Sequence, residues 1–383
     1  MREKLAWIGA VVLFLSAAPL SAQIIEAGDV KLRLLGRVQT QFSTTSIDEE
    51  ELTAAGRPLA TAIPSTQFET RRIRFGAELE FEKWLVGKLE TELGLARLQI
   101  RDAFLNMAFD PRFQLRVGQF KKPFSLMQLT SSSVWPVIER GVRIRGLLES
   151  IAVRDSLAGG TRVIQNFRGI PVIGEEQELL ELFLYQNFDQ GAAVHGRFGA
   201  LGYYAGVFNG SGWDRPDDND SKSYAGRLTL GFTKLPIVLG GAVSYREFRV
   251  RNQPTIVDSN GIAFEGDIEI GAFRKKGIHV MGEFTIGDNM VQTDDQFLAG
   301  QGIVAWFQPL NNQRIEGLEI AGRASYGDPR RELEEDEGLL LTPGVNVYFF
   351  GRNRLMFNWD WYLMSSRLGE SENALRAQVQ FYF

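Results

Sequence analysis

What most constrains this chain is an alternation of apolar and polar residues with period two, repeated up to its last residue. In RIRFGAELEFE, Ile73, Phe75, Ala77, Leu79 and Phe81 fall on one face, with Arg72, Arg74, Gly76, Glu78 and Glu80 on the other. LEIAGRASY sets Leu318, Ile320, Gly322, Ala324 and Tyr326 against Glu319, Ala321, Arg323 and Ser325. RLMFNWDWYLM and the terminal LRAQVQFYF do the same, with Leu355, Phe357, Trp359, Leu375 and Val379 on their apolar faces. Successive side chains of a strand point to opposite faces, so these segments read as strands with one apolar face. They run to about ten residues, the length that crosses a bilayer at a tilt. Their polar faces mix Glu and Arg, as a wet lumen permits. Aromatics gather near segment ends (Trp84, Phe109, Phe188, Trp213, Phe232, Trp306, Phe349, Phe350), in the manner of interfacial girdles. The expected fold is all-β: a transmembrane antiparallel β-barrel. A soluble sandwich also alternates, and the pattern alone leaves that alternative open.

The first residues stand apart from this pattern. Arg2 and Lys4 precede the short apolar stretch Leu5 to Leu20, and Ala22 is a small residue suited to cleavage. Residues 1–22 therefore read as a secretory leader and 23–383 as the barrel domain. The stretch is too short to span a bilayer of about 30 Å. No later run is long and apolar enough for a membrane helix. The chain has no cysteine, so there is no lipid-attachment site, and an exported protein without disulfides suits the Gram-negative envelope. The formal charge of −5, from 42 basic and 47 acidic residues, becomes about −6 once Arg2, Glu3 and Lys4 go with the leader, which argues against nucleic acid as a partner. Short turns at Asp110-Pro111-Arg112 and Phe350 to Asn353 are expected on the periplasmic side. Longer polar stretches at 46–68, 209–223, 251–261, 288–302 and 327–338 are expected on the outer side.

One segment breaks the alternation. GQFKKPFSLMQLTSSSVWPVIERG, Gly118 to Gly141, has neither a strand nor a helix period and carries two lysines, four serines and a Trp-Pro break. With RVGQFKKPFSLMQLTSSS, the upstream ETRRIRFGAELEFEKW and IRDAFLNMAF, the later YYAGVFNGSGWD and the terminal LRAQVQFYF, the chain resembles the phosphate-selective porin O and P family over nearly all of residues 23–383. The resemblance implies 16 strands, a homotrimer, both termini in the periplasm, and a long loop that begins at this segment and folds into the lumen. Such a loop cannot face lipid, where its backbone groups would be unsatisfied.

The resemblance also implies an anion path. By position, Arg71 and Arg72 match an arginine pair that contacts the anion, and Ser131 and Ser132 match serines of the inward loop. Arg74, Lys121 and Lys122 are further basic candidates, and Asp102 is expected to orient a basic neighbour. Local charge agrees: ten basic residues face four acidic ones between Arg97 and Arg154. The resemblance further implies a lysine just before Leu-Thr-Ser-Ser, and here Gln128 and Leu129 occupy that stretch. The expected function is an outer-membrane porin passing small solutes, with phosphate or other small anions as its cargo. Outer-membrane lipid and the barrel-assembly machinery are its expected partners. No cofactor or catalysis is expected: the two histidines, His195 and His279, lie far apart, and no Gly-x-Ser-x-Gly elbow occurs. A general diffusion porin is the alternative, with an outer-membrane enzyme or a soluble β-sandwich binding protein behind it.

Overall fold

The computed structural model describes residues 24–45, 66–94, 97–139, 143–145, 176–178, 183, 185–210, 212, 217, 220–232, 235–252, 255–289, 295–335, 337–365 and 372–383. The expected leader, residues 1–22, and the expected girdle residue Trp213 lie outside them. A short strand β1 (Ile24–Ala27) precedes β2 (Val30–Thr45), β3 (Thr66–Phe81), β4 (Leu85–Gly94), β5 (Arg97–Asp110) and β6 (Phe113–Lys121). A single helical turn α1 (Leu126–Leu129) and a small antiparallel pair, β7 (Arg143–Arg145) with β8 (Glu176–Glu178), interrupt the series. It resumes with β9 (Phe188–Phe198), β10 (Leu201–Phe208), β11 (Ser223–Gly231), β12 (Ile237–Asn252), β13 (Thr255–Ile270), β14 (Gly277–Asp288) and β15 (Gln296–Pro309). The last strands are β16 (Gly317–Asp328), β17 (Gly338–Tyr348), β18 (Arg354–Met364) and β19 (Glu372–Tyr382).

Apart from β1, β7 and β8, each strand pairs antiparallel with its neighbours, and β19 pairs with β2 to close a barrel of 16 strands. Closure satisfies every strand's backbone within the sheet, the only way strands can cross a lipid phase. The seam has its own device. β19 ends at Tyr382 opposite Arg37, and Phe383 exchanges two backbone hydrogen bonds with Gly36 (2.9 and 3.0 Å). Below that point β1 takes over, pairing Ile24 to Ala27 with Arg33 to Val30. The Phe383 ring lies so close over Gly36 that a Cβ there would meet it at 2.0 Å.

The alternation read from the sequence sets the two faces. Phe75, Leu105, Ile278, Val304, Ile320, Phe357, Leu375 and Val379 are exposed on the outside, while Arg72, Glu319, Arg323, Asn346, Asp360, Gln378 and Gln380 are buried on the inside. Turns at 82–84, 111–112, 199–200, 271–276, 310–316 and 349–353, and the ends of β11 and β12 near Phe232 and Ile237, share one rim with Phe383. Aromatics band this rim: Trp84 stacks on Phe109, Phe109 on Phe113, and Phe198 on Tyr203. Three expectations fail. The stretch 288–302 is loop only in part, because β15 pairs with β14 from Gln296 onward. The stretch 251–261 is not a loop, because β12 and β13 stay paired out to Asn252 and Thr255. Phe188 is no girdle residue. It is buried, 5.5 Å from the Arg101 guanidinium and 5.8 Å from the Lys121 ammonium, a ring face to which cations are drawn.

Candidate functional site: the lumen and its inward loop

Strict alternation would place one residue in two on the lumen side. Among the described residues three register shifts break it; one, between β5 and β6 at Met107/Asp110, lies at a rim turn, and the other two lie on the lumen wall. Between β2 and β3, Gln39 pairs with Arg72 but Thr40 pairs with Thr70, so Arg71 is the extra residue of a bulge. Between β4 and β5, Glu90 pairs with Asp102 but Thr91 pairs with Ile100, so Arg101 is extra. A bulge re-aims the strand locally. Both arginines thereby join their neighbours on the inside. Arg71 and Arg72 reach the same carboxylate, that of Glu139. Arg101 donates to Glu92, while Asp102 accepts from Lys88 Nζ at 2.6 Å.

The loop after β6 runs along the inner wall. Its first turn is held by acids of the wall: Glu283 accepts from Ser125 Oγ at 2.9 Å and from the Met127 amide at 3.0 Å, and Glu265 accepts from the Leu126 amide at 2.9 Å. Ser125, at φ 67°, caps α1 by accepting from the Gln128 amide. Further on, Asn346 Nδ2 donates to the Pro136 carbonyl (2.7 Å), the Ile138 amide donates to Asn358 Oδ1 (2.6 Å), and Arg323 donates to the Glu139 carbonyl (2.7 Å). Between these anchors Met127, Trp135 and Val137 pack on Met281, Ile303, Ala305 and Ala321. The loop is thus part core, not wholly polar. On β15 both faces are apolar where the loop lies, which is why alternation could not announce the contact. β7 lies against β16, β17 and β18, continuing the same course.

The structure places each expected site residue. Arg71 donates to both Glu139 oxygens (2.8 and 3.2 Å). Arg72, more deeply set, lies 3.4 Å from Glu139 and 3.4 Å from Gln39 Oε1. Arg74 pairs with Glu92 and with Glu90 at 3.1 Å. Lys121 donates to the carbonyls of Gln128 and Leu129, so its ammonium reaches the stretch just before Thr130-Ser131-Ser132. Lys122 is buried, and loss of water pulls its ammonium down to about 8 against the attraction of Asp189. Ser131 is exposed and shares a hydrogen bond with Ser133 (3.0 Å), whereas Ser132 is buried. Arg71 and Arg72 thus converge on Glu139, and Lys121 lies where the loop begins; Ser133, bonded to Ser131, accepts at its carbonyl from Gln380, which neighbours Gln39 and through it Arg72. Arg140 and residues 146–175 lie outside the described residues.

Several participants escaped sequence reasoning. Arg37 stands directly opposite Arg74 across β2 and β3, both on the inner face. Like charges paired across strands are ordinarily unfavourable. Its position two residues before Gln39, on the polar face of β2, was the available signal. Arg116 lies 4.3 Å over the Phe104 ring and bonds Asn106 (3.2 Å), which also meets His195 Nε2 (2.7 Å). Arg112 belongs elsewhere: it pairs with Asp110 in an exposed turn of the rim.

Comparison with known proteins gives a family and a fold. The model of a family described as phosphate-selective porin O and P matches residues 57–263. No curated protein matches the sequence. Among solved structures, the outer membrane channel DcaP of Acinetobacter baumannii superposes with a TM-score of 0.60 at 11% identity, covering 95% of this chain and 100% of that one. An anion-selective porin from Comamonas acidovorans gives 0.59 at 13% identity, over 92% and 100% of the two chains. OmpT of Vibrio cholerae, folded in vitro and in trimer form, gives 0.55 at 11% identity, over 92% and 99%. At such identities the likeness is one of fold.

Proposed function

From the premise that this chain belongs to the phosphate-selective porin O and P family, and so forms a porin channel in the Gram-negative outer membrane, we propose that its channel prefers anions, phosphate among them. One observation carries the preference. At Glu139 the guanidinium is the exposed partner and the carboxylate is not: the Arg71 side chain is 26% exposed and Glu139 only 3%. Arg101 is likewise more exposed than its partner Glu92, and Lys88 more than Asp102. At these three pairs an ion in the lumen meets the positive edge first, whereas at Arg74 the acid Glu90 is the more exposed partner. In a narrow passage such donors replace part of the water an anion sheds, while binding stays weak enough for exit. Lys121, set on the Gln128 and Leu129 carbonyls, supports the reading by bringing a cation to where the sequence itself has none.

A leader over residues 1–22 would deliver the chain to the periplasm, and the assembled form would be a homotrimer inserted in outer-membrane lipid by the barrel-assembly machinery. No catalysis is involved. General diffusion is the competing reading, favoured by the acids that pair with Arg74 and Lys88. The deciding measurement is the zero-current potential of single channels in a planar bilayer under a salt gradient, with chloride and then phosphate as the anion. An anion-signed potential for both salts supports the proposal. A potential no different from that of free ion mobilities hands the case to general diffusion.

A further inference from the structure

From residue 122 to 142 the inward loop contains one acidic residue, Glu139. It is not spent on a loose surface pair. Its carboxylate accepts from Arg71 Nε and Nη2 at 2.8 and 3.2 Å, a two-pronged fit, and from Arg72 Nη2 at 3.4 Å. Its carbonyl accepts from Arg323 Nη1 at 2.7 Å. Arg323 is itself tied to Asp360, and the preceding residue, Ile138, is bound to Asn358. Strands β16 and β18 thus fix the backbone around Glu139, and a bulge in β3 turns Arg71 to meet its carboxylate.

A guanidinium offers its donors in a planar fork that matches two oxygens of an oxyanion. Glu139 already fills that fork. We infer that Glu139 is an internal competitor for the anion site, a specificity-determining residue that sets how tightly Arg71 and Arg72 hold a passing oxyanion. The inference rests on the reading of that pair as part of the anion path. A phosphate dianion brings two charges and several acceptor oxygens, enough to trade places with a carboxylate that carries one. Chloride, with one charge and no second acceptor, displaces it poorly. The competitor therefore shortens the residence of phosphate, the anion that the fork fits best, which keeps the site a way-station and not a trap.

The test replaces Glu139 by Gln, which keeps shape and the backbone carbonyl but lowers the attraction for guanidinium, and separately by Asp, which keeps the charge but shortens the reach. Both are screened for the boiled-versus-unboiled mobility shift in SDS, then reconstituted in bilayers. The readout is the inorganic phosphate concentration that halves the chloride current. For Glu139→Gln that concentration should fall by about tenfold, equivalent to about 1.4 kcal/mol. Glu139→Asp should shift it the same way by less. Adding Arg71→Ala to Glu139→Gln should abolish the gain. If Glu139→Gln does not assemble, Glu139→Asp decides on the same readout. A half-blocking concentration within twofold of wild type, in whichever variant decides, overturns the inference. The two readings fail separately. Wild-type zero-current potential reports anion preference, and only the difference between variant and wild type reports the competitor.

Discussion

At the scale of single residues, two strands depart from alternation at the very places where charge is concentrated. The bulged residues Arg71 and Arg101 put adjacent charged side chains on one side of a strand, which a regular strand cannot do. If the pair at 71 and 72 lines the passage, replacing both with Ala should move the zero-current potential toward the value for free ion mobilities and weaken phosphate block. A variant with wild-type potential and block would remove these residues from the path. Gly36 makes a second residue-scale prediction. Gly36→Val would set its Cβ 2.0 Å from the Phe383 ring and should cost about 1–3 kcal/mol, the usual penalty for overpacking. Gly322→Ala, whose new Cβ meets nothing within 4 Å, should fold as wild type does. Urea titration of barrels folded into lipid vesicles compares the two, and equal midpoints would show that the ring does not need the space.

At the scale of elements, the strands were largely legible and the loop was half so. Ile320 and Arg323, or Val379 and Gln380, divide between lipid and lumen as period two dictates, because one face meets hydrocarbon and the other water. Ile320→Arg should therefore cost about 2–4 kcal/mol at mid-strand, read as reduced folding yield in vesicles against Ile320→Leu. Equal yields would mean that the face is assigned wrongly. Arg323→Ala is no neutral comparison, since Arg323 holds both Asp360 and the loop carbonyl of Glu139. The loop's inward course could be expected from its polarity, but not its contact with Met281, Ile303 and Ala305, since inner-face apolar residues look the same in sequence whether lipid or a loop covers them. Nor could spacing show that Lys121 reaches back to Gln128, or that Ser131 and Ser132 part ways, because both depend on how one turn of helix sits. The acid that anchors that turn gives the element's own test. Glu283→Ala leaves the Ser125 hydroxyl and the Met127 amide without their acceptor, at about 1–3 kcal/mol each. Single-channel records should then show larger and noisier openings, while an unchanged conductance would mean that the loop is held by its apolar contacts alone.

At the scale of the whole molecule, no helix among the described residues is long and apolar enough to cross a membrane, and the strands of a closed barrel share the task of crossing, so each segment's individual signal is weak. Folded protein kept unboiled in SDS should migrate apart from boiled protein and, as a homotrimer, at the trimer mass. A single mobility in both samples, with recovery of a soluble monomer free of detergent, would contradict the barrel. The seam between β19 and β2 carries a consequence for crowding. Because β19 stops at Arg37 while β2 starts at Val30, one stretch of β2 would stand bare beside its neighbours, an open template for another chain. Folding Ile24 to Ala27 back along that stretch occupies it from within. In a membrane densely tiled with copies of the same protein, each barrel is thereby insulated from invasion by the next, and its seam is guarded by its own first strand.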